Sequence, residues 1–566
     1  MNKEKIVIYQ VLPRLFGNEN TVLVPDGSKK ENGCGKLSAF TDKALAEIKK
    51  MGFNHIWYTG LIEHATQTDY TSYGIRKDHP AIVKGKAGSP YAIKDYYDID
   101  PDLADDISNR MAEFESLTKR SHKAGLKVII DFVPNHVARQ YHSDAKPDSV
   151  EDLGGGDNVH SAFDINNNFY YIPGQAFSPC FSLDDTKGEE YKEYPAKATG
   201  NDCFSPHPSI NDWYETIKLN YGVDYFNCHR HHFSPIPETW KKMLEILLFW
   251  VNKKIDGFRC DMAEMVPVEF WNWAIGKIKE QYPDVLFIAE VYNPNEYRNY
   301  IHTGKFDYLY DKVGLYDTLK RVIHCHQGTH DITHCWQAIN DIQPKMLNFL
   351  ENHDEQRIAS NFFAGDPFKA LPALVISATM NTNPFMLYFG QELGEPGMDA
   401  EGFSGCDGRT TIFDYWSIES VRNWRNSGKY DEEKLTDSQK ELRRYYIKIL
   451  QLCNKSKAIR EGKFFDLMYK NFSKESFNTH RHYAYLRYAE DELLLIVANF
   501  ENKDADIKVY IPSHIWECFG IEKTSLKSAK DLLSNKKYPS ELICDADYAV
   551  QVKADNAVII RFQLDK

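Results

Sequence analysis

Four short stretches place side chains capable of acid–base chemistry in a fixed chain order: Pro134 to His136, Arg259 to Asp261, Glu290, and Asn352 to Asp354. On a strand, residues two apart share a face, so Arg259 and Asp261 are expected to project the same way. A guanidinium a few ångströms away typically lowers an Asp pKa by ~1 to 3 units, which would keep Asp261 anionic, as a nucleophile must be. Glu290 follows Val285-Leu-Phe-Ile-Ala289 and precedes Val291-Tyr292. That apolar setting is expected to raise its pKa and keep it an acid. Two carboxyl groups with pKa values pushed apart, held ~5 to 5.5 Å from each other, are what retaining glycoside cleavage requires. Asp354 is a third acid, placed to grip sugar hydroxyls. Taken singly, the Arg259–Asp261 pair can also be read as a buried ion pair, and His136 and His353 as satisfied core histidines. The functional reading comes from all four stretches sitting at strand ends.

The elements that must aim these groups are short apolar runs: Ile6–Leu12, Phe53–Tyr58, Lys127–Phe132, Ile255–Arg259, Val285–Ala289, Phe306–Tyr310, Met346–Leu350 and Pro384–Phe389. Most are followed by helical patterns such as Thr41 to Met51, Asp106 to Ala124 and Pro237 to Lys254. Eight such units close a parallel barrel, and enzymes on that fold carry their chemistry at the C-terminal ends of the strands. The stretch from His136 to Pro237 is rich in Gly, Asn and Tyr and lacks helical periodicity, so it reads as an insertion after the third strand. A long loop from Gly60 to Lys94 follows the second strand. Beyond the helical stretch Ser438 to Cys453 the pattern turns to alternation, as in His482–Tyr488, Leu493–Ala498 and Ala557–Phe562, which predicts a separate all-β domain. The expected fold is thus a (β/α)8 TIM barrel over residues 1–455 carrying an insertion between His136 and Pro237, with a C-terminal all-β domain over 456–566.

Composition fits a large globular chain of 566 residues, 42% hydrophobic and 13% aromatic. The net charge of −13, with no long basic run, argues against nucleic acid and anionic membranes as partners. No apolar stretch approaches the ~20 residues that cross a bilayer. The start Met1-Asn2-Lys3-Glu4-Lys5 lacks the pattern of a secretory leader, and the 11 cysteines include no CxxC pair, so a cytoplasmic protein with reduced thiols is expected.

Four motifs in order, Asp131-Phe-Val-Pro-Asn-His136, Gly257-Phe-Arg-Cys-Asp261, Phe287-Ile-Ala-Glu-Val291 and Phe349-Leu-Glu-Asn-His-Asp354, make the chain resemble the α-amylase family, glycoside hydrolase family 13. Ser89-Pro-Tyr-Ala-Ile-Lys-Asp-Tyr-Tyr97 and Asn383 to Glu392 look like further segments of that family. The resemblance implies Asp261 as nucleophile, Glu290 as general acid/base and Asp354 as the acid that holds the sugar. It implies Tyr91, Asp95, His136, Arg259, His353 and Arg357 as substrate-binding residues, with Tyr91 stacked under a ring, and it implies an inserted domain at 138–235 and a C-terminal β-sandwich over 456–566.

Two departures from the family pattern stand out. Many members carry Lys-His three and four residues after the nucleophile, where this chain has Glu264 and Met265. In the motif closing the inserted domain, the position of a calcium-binding Asp matches Lys218 in Thr216-Ile-Lys-Leu-Asn220. An ammonium repels a divalent ion, so the usual family calcium site is expected to be empty even though Asn135 is present. The run Cys228-His229-Arg230-His231-His232 is too tight to close a metal site by itself. The reading is a retaining hydrolase of α-1,4-linked maltodextrins that needs no cofactor, whose partners are oligosaccharide substrates. The alternatives are a glucanotransferase on the same scaffold and a non-catalytic carbohydrate-binding protein.

Overall fold

The computed structural model describes residues 4–183, 190–397, 405–472, 474–521, 525–526, 529–538 and 541–564. Met1, Asn2 and Lys3, read above for a leader, lie outside the described residues.

All eight expected strands form. They are Val7–Val11 (β1), His55–Tyr58 (β2), Lys127–Phe132 (β3), Gly257–Cys260 (β4), Leu286–Ala289 (β5), Tyr308–Tyr310 (β6), Met346–Leu347 (β7) and Phe385–Tyr388 (β8). They pair in parallel in chain order from β1 to β7, with β8 against β1. Between β7 and β8 a single parallel bridge, Asn348 to Phe385, closes the cylinder. Asn348 N donates to Pro384 O at 3.0 Å, and Met386 N donates to Asn348 O at 2.9 Å. The short β7 and β8 are the reason closure needs so few bonds.

Inward positions follow the two-residue period. Ile8, Trp57, Ile129, Ile288, Leu347 and Met386 form an apolar tier inside the barrel. Residues two further along the same faces are Gln10, Asp131 and Glu290, so a polar tier sits on the apolar one, toward the C-terminal rim. The helices cover the outside. Asp42–Met51 is capped by Thr41, whose side chain accepts from Ala44 N, and it buries Ala44, Leu45, Ile48 and Met51.

Among its described residues, the segment between β3 and the helix Glu238–Asn252 holds three short antiparallel pairs. One of them ties the point where the chain leaves the barrel to the point where it returns, with His136 opposite Lys218 and Ala138 opposite Thr216. The loop after β2 folds into a hairpin of Ile62–His64 on Ile93–Ile99. Inside it Gly88 has φ +81°, and a Cβ there would stand 1.7 Å from Ala65 O, so only glycine lets the loop turn back toward the rim.

The C-terminal part contains a six-stranded sheet in which His482–Ala489, Glu492–Asn499 and Asn556–Gln563 lie side by side, and an antiparallel pair Ala505–Ile511 with Ala546–Val552. Among the described residues no helix is long and apolar enough to cross a membrane.

Candidate active site

A pocket of about 260 Å³ opens at the C-terminal ends of the barrel strands. Asp261, Glu290 and Asp354 line it together with Tyr91 and His136. Asp261 and Glu290 each follow the last residue of their strand and stay in register through backbone bonds, Asp261 N to Phe132 O at 2.9 Å and Glu290 N to Cys260 O at 3.1 Å. A larger cavity of 910 Å³ lies where the helix His330–Ala338 meets the strand Lys463–Asp466, away from this rim.

Arg259 organises the acids. Its Nη1 donates to Asp261 Oδ1 at 2.6 Å and lies 3.6 Å from Asp131 Oδ1. Its Nη2 stands 2.9 Å from Glu290 Oε2, an ion pair without hydrogen-bond alignment. The guanidinium is 1% exposed and sits among the rings of Tyr91, Trp57 and Tyr310 at 5.3, 5.4 and 5.6 Å, which hold it in place.

The acids differ from the sequence expectation in their settings. Burial pushes Asp261 well above the usual carboxylate range; Arg259 opposes this and the charge of Glu290 adds to it. The guanidinium therefore does not depress Asp261, because desolvation outweighs a cation that is shared with two other acids. Glu290 is not in apolar surroundings. Its Oε2 accepts from Met262 N at 2.8 Å and its Oε1 from the Tyr292 hydroxyl at 2.5 Å, besides the Arg259 pair. Asp354 is half-buried and is pushed up to about 7 by burial and by Glu290.

His353 Nε2 lies 3.0 Å from Asp354 Oδ2 and bonds to the Tyr91 hydroxyl, while Gln10 Nε2 donates to Nδ1 at 2.7 Å. Burial holds this histidine well below its ordinary pKa, so the ring is neutral. With Nδ1 accepting, Nε2 carries the proton and can donate to Asp354. His136 is buried and lowered to about 3 by desolvation and by Lys218. Its Nδ1 accepts from Asn135 Nδ2 at 3.1 Å, which leaves Nε2–H as the donor.

Two expected binding residues lie elsewhere. Asp95 is fully buried; it accepts from Ser143 Oγ at 2.6 Å, Tyr97 N at 2.8 Å and Ala145 N at 2.9 Å, and does not line the pocket. Arg357 is fully buried, bonded to Glu351 Oε2 and Phe389 O, each at 2.9 Å, and placed 4.1 Å over the Tyr388 ring. Both are held by protein groups, and neither lines the pocket. Tyr91 lies parallel to His353, with centroids 5.2 Å apart, and its hydroxyl points to Asp131 at 3.3 Å.

Several site residues escaped the sequence reading. Asp131, raised to about 6 by burial, accepts from Trp57 Nε1 at 3.1 Å and Gly60 N at 3.2 Å, forming a floor under Arg259 and Tyr91. Its place two residues after Ile129 on the inward face was the available signal. Met262 lines the pocket with a left-handed backbone, φ 40°, a strain that turns its N–H onto Glu290. Trp213, Glu215 and Lys84 close the far wall, with Lys84 Nζ 2.8 Å from Glu215 Oε1. Glu264 is spent on Asn293 N at 3.0 Å and does not line the pocket.

At the foot of the inserted segment, Lys218 Nζ donates to Asn135 Oδ1 at 2.8 Å and pairs with Asp202. An ammonium with two oxygen partners is a donor set that does not fit a divalent cation.

A barrel with three acids and a guanidinium at its C-terminal rim defines a glycoside-cleaving class of enzyme. Residues 10–446 match the model described as "Alpha amylase, catalytic domain", and the chain belongs to that α-amylase family of glycoside hydrolases. Alpha-amylase 3 of Dictyoglomus thermophilum is 24% identical over 427 residues, 72% of this chain and 74% of its own length. A Bacillus cyclomaltodextrinase is 22% identical over 508 residues, 87% of this chain and 72% of its own. The fold resembles that of a noncanonic maltogenic α-amylase, AmyB, from Thermotoga neapolitana, with TM-score 0.64, 20% identity and full coverage of both chains.

Proposed function

We propose that this enzyme cleaves α-1,4 bonds of maltodextrins with retention, through a covalent ester of glucose on Asp261. The observation that carries the reading is the Arg259 guanidinium, whose two terminal nitrogens each hold one acid, Asp261 at 2.6 Å and Glu290 at 2.9 Å. Two carboxyls gripped by one such group stand close, as a nucleophile and an acid/base acting on one anomeric carbon must.

In this mechanism Glu290 protonates the glycosidic oxygen as Asp261 attacks C1, and the aglycone leaves. Glu290 then takes a proton from water, and the resulting hydroxide displaces Asp261 from C1. Tyr292 and the Met262 N–H orient Glu290 for both steps. Asp354 accepts from sugar hydroxyls and the neutral His136 donates to them; His353, its Nε2 turned to Tyr91 and Asp354, holds those two side chains in place, and Tyr91 carries the apolar face of the ring. Lys218 takes the place of a structural calcium between the barrel and the inserted segment. The cyclomaltodextrinase and maltogenic amylase names among the relatives support short α-glucans as substrates. The cysteines, all free of disulfides, support a reducing cytoplasm.

Chromatography and NMR of products from one pure linear maltooligosaccharide test this. Shorter chains released first as the α-anomer are expected. Products longer than the starting material would instead make the enzyme a glucanotransferase, in which a sugar hydroxyl replaces water. Release of the β-anomer would remove the covalent intermediate from consideration.

A further inference from the structure

Outside the pocket, the hairpin after β2 gathers three buried acids. Glu63 lies opposite Asp95 across the two strands, and Asp98 is on the same strand as Asp95. A regular strand would send residues 95 and 98 to opposite faces. Here the register is irregular: Glu63 pairs with Asp95, while its neighbour Ile62 pairs with Ile99, so extra residues bulge between the two pairs. The bend brings one carboxylate oxygen of Glu63, Asp95 and Asp98 within 4.8 Å of one another.

These acids are not equally provided for. Asp95 accepts from Ser143, Tyr97 and Ala145, and Asp98 pairs with Arg110 and accepts from Ile99 N at 2.8 Å. The nearby Lys94 is spent on Asp78 at 3.1 Å. Glu63 is 2% exposed, and neither of its oxygens has a hydrogen-bond partner among the described residues. A buried carboxylate with both oxygens unpaired is among the costliest groups a fold can hold, and such charges are normally paired or bound to metal.

We propose that Glu63, Asp95 and Asp98 bind one hard divalent cation of calcium size. The donors are all oxygens, without the histidine or cysteine that softer metals take. Oxygens spread over no more than 4.8 Å fit around one ion at calcium's ligand distances of about 2.3 to 2.6 Å, twice which spans that gap, whereas twice magnesium's ~2.0 to 2.1 Å falls short of it. The two free oxygens of Glu63 suit bidentate ligation, with water filling the remaining positions. The cation would tie the hairpin, whose intervening loop carries Tyr91, to Ser143 and Ala145 at the start of the inserted segment. This site is separate from Lys218 and from the catalytic acids, so the proposal stands whatever the pocket does.

The competing occupant is a proton on Glu63, and the experiment separates the two. Full-length chain stripped with chelator is titrated with calcium while thermal unfolding is followed, and bound calcium is measured by equilibrium dialysis. One equivalent per chain and a saturable rise in Tm on the order of 3 °C are expected. Glu63→Gln should lose both, while melting no lower than the stripped parent, since it removes an unpaired buried charge. Under one-tenth of an equivalent bound at about millimolar calcium, the weak end for such oxygen sites, would overturn the site. So would an undiminished calcium response in Glu63→Gln. Should that variant fail to fold, the dialysis of the parent alone decides.

Discussion

At the scale of single residues, one guanidinium sets the charges of the pocket, and its removal has a signed effect. Arg259 lowers the pKa of Asp261 against the upward push of burial and Glu290. An ammonium cannot hold two carboxylates in a fork. In Arg259→Lys the acid limb of kcat/KM should therefore move to higher pH, because Asp261 protonates sooner; an unchanged limb would show that Arg259 does not control that carboxyl. Glu290→Gln should lower turnover of unactivated maltodextrins by about 10² to 10⁴-fold, the usual worth of a general acid. With an α-glucosyl fluoride, whose leaving group needs no proton, glycosylation in this variant should recover, with its acid limb shifted to lower pH because a like charge has gone. Assay of both substrates across pH checks the pair. The three acids were legible because each directly follows a strand or its rim loop. Their electrostatics were not, since a two-residue spacing gives a shared face but neither the depth of burial nor the other carboxyls that compete for the same cation. Asp95 and Arg357 show the converse: motif neighbours of site residues turned into the core, held by Ser143 and by Glu351.

At the scale of elements, the inserted segment hangs on a short antiparallel pair with Lys218 at its foot. Replacing Lys218 with Met leaves Asn135 Oδ1 and a partly exposed Asp202 without their donor. A loss of about 1 to 3 kcal/mol in denaturant unfolding is expected, the price of an unsatisfied buried polar group, and added calcium should not restore it. The barrel strands were readable from short apolar runs, and even the three-residue β6 formed where expected. What spacing could not supply was closure: β7 has only two residues, and the cylinder is completed by a bridge at Asn348. Amide exchange should accordingly be faster at Asn348 and Met386 than along the β2–β3 pairing, a comparison open to mass spectrometry.

At the scale of the whole molecule, barrel and β domain are joined by a buried arginine that no motif announced. Arg487, from the sheet strand His482–Ala489, donates to Met380 O at 3.0 Å and, with its other nitrogens, to Ala458 O at 2.8 Å and Gly462 O at 2.8 Å. Among the described residues it has no carboxylate partner, and burial lowers it to about 10. Arg487→Ala strands several carbonyls at once, so calorimetry should show a lower Tm and a transition split between barrel and β domain; a single unshifted transition would assign the coupling elsewhere. The alternating strands signalled that a β domain exists, but a guanidinium bonded to backbone carbonyls leaves no trace in side-chain pattern. Asp131, Asp261 and Glu290 share the single Arg259 and Asp354 faces the same pocket, so as pH rises and these acids ionise, the mouth of the enzyme gains negative charge that one guanidinium does not balance. Dextrins bearing phosphate esters would be repelled at the entrance, while uncharged chains pass, so the same charges that prepare bond cleavage also screen what reaches them.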